Sequence, residues 1–154
     1  MLTARDIMTR EVFTIRPDAS VEDLARLMEE KRISGVPVLD QTGALVGVVT
    51  QSDLAQRSRE FELPPALNIL DIHLYLETAS HFKKRLERLL GNKVKDVMTA
   101  DPVSIAPDTP VNEIAALMAD KVVHTLPVLE GGKLVGIVGK LDLIRGIARP
   151  AGEE

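Results

Sequence analysis

Residues 4–40 read ARDIMTREVFTIRPDASVEDLARLMEEKRISGVPVLD, and residues 94–130 repeat them as VKDVMTADPVSIAPDTPVNEIAALMADKVVHTLPVLE. Identical residues recur at a constant offset of 90 positions. After a one-residue deletion in the next turn, LVGVV at 45–49 corresponds to LVGIV at 134–138, and Asp53 corresponds to Asp142. So long a repeat predicts two copies of one unit, each about half the size of an ordinary domain. We therefore expect the copies to pack on each other as one pseudo-symmetric module.

Each copy carries the same order of predicted elements, β-α-β-β-α, which places the chain in the mixed α+β class. In the first copy, Ser20 caps a helix whose apolar residues recur with the helical period. The other elements predicted there are a helical turn at 6–9, strands at 12–15, 36–39 and 45–50, and a helix at 53–57. The second copy has predicted strands at 103–105, 126–129 and 134–138, and helices at 111–118 and from about 141. Pro37 favours the edge or the start of its strand, because proline cannot donate to the ladder.

The repeats divide the sequence into four segments. The first repeat takes residues 1–57, the second takes 94–148, and an acidic tail follows at 149–154. The insert at 58–93 is predicted to be mostly helical, because Ser80 can cap a helix with one apolar face. That face consists of Phe82, Leu86, Leu89 and Leu90. It is too apolar for a free linker, so we expect it to pack on the core or on another subunit.

The composition excludes several classes of function. Aromatic residues make up only 3% of the chain and the net charge is −4, so it lacks the stacking faces and the basic surface that nucleic-acid binding needs. The absence of Cys excludes disulfides, thiolate zinc sites and cysteine nucleophiles. No apolar run approaches the roughly 20 residues of a membrane span, and the charged N-terminus does not resemble a signal peptide. We therefore expect a cytoplasmic protein that binds neither nucleic acid nor membrane.

The sequence TQSD at 50–53 joins a predicted strand to a predicted helix and has two interpretations. Thr50 and Asp53 have the spacing of a capping box, which stabilises a helix start by about 0.5–2 kcal/mol. The same geometry suits a nucleotide, because the carboxylate can accept ribose hydroxyls while the helix N-terminus and Thr50 donate to a phosphate. The second repeat keeps Asp142 but has Gly139 in place of the threonine. Its helix can still be capped, but one ligand contact is lost.

The ordered series of motifs resembles a tandem pair of CBS domains, also called a Bateman module. The series is D-[IV]-M-T, P-D, an amphipathic helix, [GT]-[VL]-P-V-L-[DE], and L-V-G-[VI]-V-x-x-x-D, and it covers about 4–57 and 94–148. The resemblance implies two small sheets with helices outside, and clefts between the repeats that bind AMP, ADP, ATP or S-adenosylmethionine. It also implies a free-standing module that forms a homodimer, senses its ligand and regulates an unidentified partner protein.

The resemblance also implies roles for particular residues. The acids Asp53 and Asp142 would bind the ribose, and Thr50 would contact the ligand near its phosphate. Ser34 and His124 precede matching strands and would face the phosphate, or they are simply polar residues at strand starts. Four more residues would wall the adenine or belong to the plain core: Val36, Pro37, Leu126 and Pro127. Lys140 and Arg57 could neutralise a phosphate, although most such charges are only solvated.

An enzyme is the least favoured interpretation. The sequence has no Gly-rich phosphate loop and no nucleophile elbow, and its acids give no evident acid–base pair. His73, Glu77 and His81 would share a face of one continuous helix, but Thr78 and Ser80 favour a helix break there. We therefore predict no catalytic residues, no metal site and no covalent cofactor. The alternative to ligand sensing is a structural or interaction module without a ligand, acting through the insert helices.

Overall fold

The computed structural model describes residues 1–59 and 92–148. The predicted helix of the insert and the acidic tail at 149–154 lie outside the described residues. The helices are Ala4–Ile7 (α1), Val21–Lys31 (α2), Gln51–Arg59 (α3), Val94–Val97 (α4), Val111–Lys121 (α5) and Lys140–Ala148 (α6). The strands are Gly35–Leu39 (β1), Leu45–Thr50 (β2), Thr99–Ala100 (β3), Thr125–Glu130 (β4) and Lys133–Gly139 (β5). The mixed α/β class is confirmed, and both repeats contain the predicted helix, two-stranded hairpin and second helix in that order.

Two antiparallel sheets carry the repeats. The first has the strand order β1-β2-β3, and the second joins β4 to β5. The hairpin between β4 and β5 turns at Gly131 and Gly132, whose φ angles of 59° and 79° suit a two-residue hairpin turn. Pro37 lies within β1, the edge strand of its sheet, where the missing N–H costs no ladder bond to β2.

The strands predicted at 12–15 and 103–105 each reduce to a single bridge. Ile15 pairs in parallel with Val38: its N–H donates to the Pro37 carbonyl at 3.1 Å, and its carbonyl accepts from Leu39 at 3.0 Å. The next donor along β1 in that register is residue 37, which is a proline without an N–H. The ladder therefore stops after one residue. The equivalent bridge at Ile105 stops for the same reason, because Pro127 occupies the same place in β4.

The two cores exchange their first helices. Ala4 of α1 is fully buried with Ile114 and Leu126 of the second repeat, and its N–H donates to the Thr109 carbonyl at 2.8 Å. Reciprocally, Val94 of α4 is fully buried among first-repeat residues, and its N–H donates to the Ala19 carbonyl at 2.8 Å. Each repeat along the sequence thus completes the core of the other.

Close approach of glycine and methionine fixes this exchange. A Cβ on Gly136 would lie 2.5 Å from the Sδ of Met8, and a Cβ on Gly47 would lie 2.5 Å from the Sδ of Met98. The glycine of each L-V-G-[VI]-V strand therefore makes room for the methionine that comes from the other repeat.

Within the described ranges, no helix is both long enough and apolar enough to cross a membrane.

Candidate functional site

A cleft of about 930 Å³ opens between the repeats. Its size falls within the range of about 300–1,000 Å³ typical of small-molecule sites. Corresponding residues of the two repeats line it from opposite sides, so the cleft shares the pseudo-two-fold symmetry of the fold. The main corresponding pairs are Thr9 and Thr99, Ser34 and His124, Thr50 and Gly139, and Asp53 and Asp142.

Asp53 lies half-buried in the first turn of α3 and accepts three hydrogen bonds. Its Oδ2 accepts from the Thr50 N–H at 2.9 Å and from the Thr50 hydroxyl at 3.2 Å. Its Oδ1 accepts from the Thr99 hydroxyl at 3.1 Å. A carboxylate offers about four acceptor positions, so Asp53 retains little free capacity for a ligand donor. A bound hydroxyl would share or displace one of these bonds.

Asp142 occupies the equivalent place in α6 and accepts two hydrogen bonds. Its Oδ2 accepts from the Gly139 N–H at 2.8 Å, and its Oδ1 accepts from the Thr9 hydroxyl at 3.1 Å. The missing threonine hydroxyl leaves this carboxylate with one more free acceptor position than Asp53 has. The glycine therefore does not by itself make the second site the poorer one.

The capping interpretation of Thr50 and Asp53 is confirmed. The Thr50 hydroxyl accepts from the Asp53 N–H at 3.3 Å while it donates to the carboxylate, so both partners of the box are engaged. The hydroxyl proton predicted to serve a phosphate is therefore already committed within the protein. The carboxylate nevertheless lines the cleft, so capping and ligand binding are compatible.

Thr9 and Thr99 are the site residues that sequence reasoning missed. They end the repeated D-[IV]-M-T motif, and each donates to the acid of the opposite repeat. The signal was present, because the threonine recurs in both repeats, as the acids do. Its role became visible only with the exchanged helices, which carry each motif across to the other repeat.

Ser34 and His124 both line the cleft, and their contact with a phosphate stays a prediction. Both are exposed, and the Ser34 carbonyl accepts from the Gln51 N–H at 2.9 Å, which ties it to the start of α3. The predicted adenine walls lie elsewhere. Those four residues are buried in β1 and β4 and contribute no lining surface: Val36, Pro37, Leu126 and Pro127. Val48 and Ile137, the strand partners of the two prolines, line the cleft instead.

Backbone strain is concentrated at the cleft. In the described part of the chain, the non-glycine residues with positive φ are Arg32, Asp101 and Val122, at 53°, 50° and 52°. All three line the cleft. Left-handed conformations of this kind cost free energy and cluster at ligand sites, so their placement supports a functional role for the cleft. Within residues 1–59 and 92–148, no group of three or more His, Asp or Glu side chains could hold a metal ion.

Comparison with known proteins places these features in a family. The family model of the CBS domain matches residues 4–60 and 94–149. The chain is 33% identical to MJ1426 of Methanocaldococcus jannaschii, over 96% of its own length and 92% of that protein. It is 31% identical to the chloroplastic CBS domain-containing protein CBSX2 of Arabidopsis thaliana, over 93% of its own length and 62% of that protein.

Solved structures of similar proteins share the fold of this chain. CBSX2 in complex with AMP superposes with a TM-score of 0.70 at 28% identity and covers 96% of both chains. The CBS domain of a membrane protein from Sphaerobacter thermophilus superposes with a TM-score of 0.69 at 33% identity, covering 94% of this chain and 87% of that one. The likeness therefore extends over both repeats and the cleft between them.

Proposed function

This chain belongs to the CBS domain family, and from that premise we propose that its cleft binds an adenosine-containing ligand whose occupancy regulates a partner protein. The candidate ligands are AMP, ADP, ATP and S-adenosylmethionine, held without a covalent cofactor. The observation that carries the proposal is the pair of carboxylates, Asp53 and Asp142, at matching strand-to-helix junctions of one cleft. The AMP complex of the related CBSX2 supports it. We propose a regulatory rather than a catalytic role, and a cytoplasmic location stays a prediction.

Each carboxylate would accept hydroxyls of a ribose, with the N-terminal amides of α3 or α6 close to the phosphate. Ser34 and His124 flank these helix starts and would donate to the phosphate, while Thr50 holds the Asp53 carboxylate in position. The adenine would pack on Val48 and Ile137. The buried residues of the adjoining strands support that wall from behind: Val36, Pro37, Leu126 and Pro127.

Thermal melts and calorimetric titration with the candidate ligands test the proposal. A ligand at about 100 times its dissociation constant stabilises the folded state by about 2.7 kcal/mol, which raises the melting temperature of a protein of this size by several degrees. Asp53→Ala removes a charged acceptor worth about 1.5–3 kcal/mol, so the affinity should fall roughly tenfold or more.

Asp6→Ala is the matched control. Thr3 and Asp6 have the same spacing as Thr50 and Asp53, and the Thr3 N–H donates to the Asp6 carboxylate at 2.8 Å, but Asp6 lies outside the cleft. Its loss should lower the melting temperature without changing the affinity. Unchanged affinity in both Asp53→Ala and Asp142→Ala would contradict the ribose assignment. No melting shift with any adenosyl ligand would favour the interaction module instead.

We also propose that the chain forms a homodimer. Leu141, Ile144 and Ile147 follow one another at helical spacing on α6 and are 65%, 51% and 64% exposed. Such an apolar stripe is unfavourable in water, and C₂ association is the commonest closed way to cover it. Sedimentation should show a dimer at tens of micromolar, and Ile144→Glu should shift it toward monomer. Asn112→Glu adds the same charge at an exposed position of α5 and should leave the protein a dimer.

A further inference from the structure

We propose that the two halves of the cleft select adenosyl ligands of different charge. The Asp142 half takes a nucleoside polyphosphate, and the Asp53 half takes an adenosyl compound with little or no negative charge. The inference rests on the proposed function and deepens it. We define the Asp53 half by the lining residues of the α2–β1 loop, β1, β2 and α3, and the Asp142 half by those of the end of α5, the loop that follows it, β4, β5 and α6.

Cationic side chains separate the two halves. The Asp142 half contributes Lys121, Lys140 and Arg145 to the lining, and the Asp53 half contributes only Arg32 among the described side chains. At the helix starts, Lys140 occupies the position of Gln51, and at the strand starts His124 occupies the position of Ser34. The second repeat thus places charged or ionisable donors where the first has neutral ones.

The acidic residues of the lining do not cancel this difference in positive charge between the two halves. Each half has one ribose acid. The two other lining acids, Glu11 and Asp101, lie outside both halves at corresponding positions of the repeats, so they do not favour either half. Among the described lining side chains, the surplus of positive charge therefore belongs to the Asp142 half.

The cations of the Asp142 half are available to a ligand. Among the side chains that the structure describes, Arg5 and Arg26 are the cations that form ion pairs. Lys121, Lys140 and Arg145 are exposed at the cleft and have no acidic partner among those side chains. Lys140 opens α6, Arg145 follows Asp142 by three positions on the same helix, and both cations line the same cleft as this acid. Charge-assisted hydrogen bonds from such groups to phosphate oxygens are the strong ones.

The Asp53 half offers the opposite chemistry. Its helix starts with Gln51 and Ser52, and Ser34 precedes its strand, so its donors at that end are neutral. Among the described side chains, a polyphosphate placed there would meet one guanidinium, at Arg32, and would gain less than in the other half. An adenosyl group without phosphates has no phosphate oxygens to pair with cations, so the smaller number of cations in the Asp53 half does not weaken its binding.

Calorimetric titration of single-half variants tests the inference. Asp53→Asn leaves the Asp142 half intact, and Asp142→Asn leaves the Asp53 half intact, so each is titrated with adenosine and with ATP in the absence of Mg²⁺. We expect Asp53→Asn to bind ATP about tenfold or more tightly than adenosine, as one or more charged hydrogen bonds imply. We expect Asp142→Asn to bind adenosine at least as tightly as ATP. The preference of Asp53→Asn for ATP should also weaken as salt rises from 50 to 200 mM.

Exchanging the residues at the two equivalent helix starts, Lys140 and Gln51, gives a second measurement that leaves the choice between the two acids aside. Lys140→Gln installs the residue of the first repeat and should lower the ratio of ATP affinity to adenosine affinity about tenfold. Gln51→Lys should raise that ratio in the Asp142→Asn background. Both positions are exposed, so neither exchange disturbs the core. Equal ratios in the two single-half variants overturn this inference alone, whereas no binding of any adenosyl ligand by the parent overturns the proposed function with it.

Discussion

Gly139 and Thr50 start equivalent helices with different chemistry. A Cβ on Gly139 would lie 3.6 Å from the Asp142 carboxylate and 3.9 Å from the His124 carbonyl, which are ordinary contacts. A threonine there can therefore reproduce the capping box of the first repeat. We expect Gly139→Thr to raise the free energy of unfolding by a few tenths of a kcal/mol, and Thr50→Gly to lower it by a similar amount. Chemical denaturation measures both, and a destabilised Gly139→Thr would contradict the capping account.

Gly136, unlike Gly139, has no room for a side chain. Its Cβ would meet the Met8 Sδ at 2.5 Å and Cγ at 2.9 Å, so Gly136→Ala overpacks the junction between the repeats. We expect a loss of about 1–3 kcal/mol in the free energy of unfolding. In the double variant with Met8→Ala, the added methyl should cost much less, since its partner is gone. Additive losses in this double-mutant cycle would show that the two side chains do not compete for the same space.

Local chemistry was predictable at the level of single residues, and contacts across the molecule were not. Ser20 accepts from the Asp23 N–H at 3.0 Å as its capping position predicts, and the Thr50–Asp53 box forms as its spacing predicts. The Thr99–Asp53 and Thr9–Asp142 bonds join residues 46 and 133 positions apart. No spacing rule reaches that far, so Thr9 and Thr99 received no role from the sequence.

At the scale of elements, helices α2 and α5 end on residues in the left-handed conformation. Arg32 and Val122 occupy the equivalent C-cap positions, and Val122 is 76% exposed, so packing does not explain its conformation. An L-residue loses roughly 1–2 kcal/mol in this region, while glycine adopts it without steric cost but gives up some chain entropy.

We therefore expect Val122→Gly to raise the free energy of unfolding of the ligand-free protein by about 0.5–1 kcal/mol. Lys121→Gly is the control: one residue earlier, inside the helix, glycine should cost about 1 kcal/mol instead. Thermal melts of the two variants should move in opposite directions. If both fall, the left-handed conformation of Val122 is not a source of strain.

Proline explains where the predicted elements and the observed ones differ. The sequence at 12–15 predicts a strand, but the ladder needs donors on the neighbouring strand as well, and Pro37 has no N–H to donate. The same sequence feature placed β1 correctly at a sheet edge. The hairpins and the long helices carry their signals within a few consecutive residues, which is why their positions were predicted to within a few residues.

At the scale of the whole molecule, the division of the sequence into repeats differs from the division of the fold into cores. Repetition predicted that two units pack together, but it contained no information about which helix joins which core. The exchange follows from contacts that each repeat makes only in the presence of the other, such as the Ala4 N–H with Thr109 and the Val94 N–H with Ala19.

The exchange predicts that the described module unfolds as one cooperative unit. Val94 belongs to the second repeat in sequence but is fully buried in the core of the first, so neither core is complete without the other repeat. Val94→Ala installs the residue that stands at the equivalent position 4 and leaves a small cavity. We expect it to cost about 2 kcal/mol, which lowers the melting temperature by roughly 4–8 °C at this chain length. Scanning calorimetry should show a single transition, with equal calorimetric and van't Hoff enthalpies, that shifts as a whole. Hydrogen exchange should then accelerate equally in the amides of β1 and of β4. Two transitions, with Val94→Ala moving only one of them, would show that the repeats fold independently despite the exchanged helices.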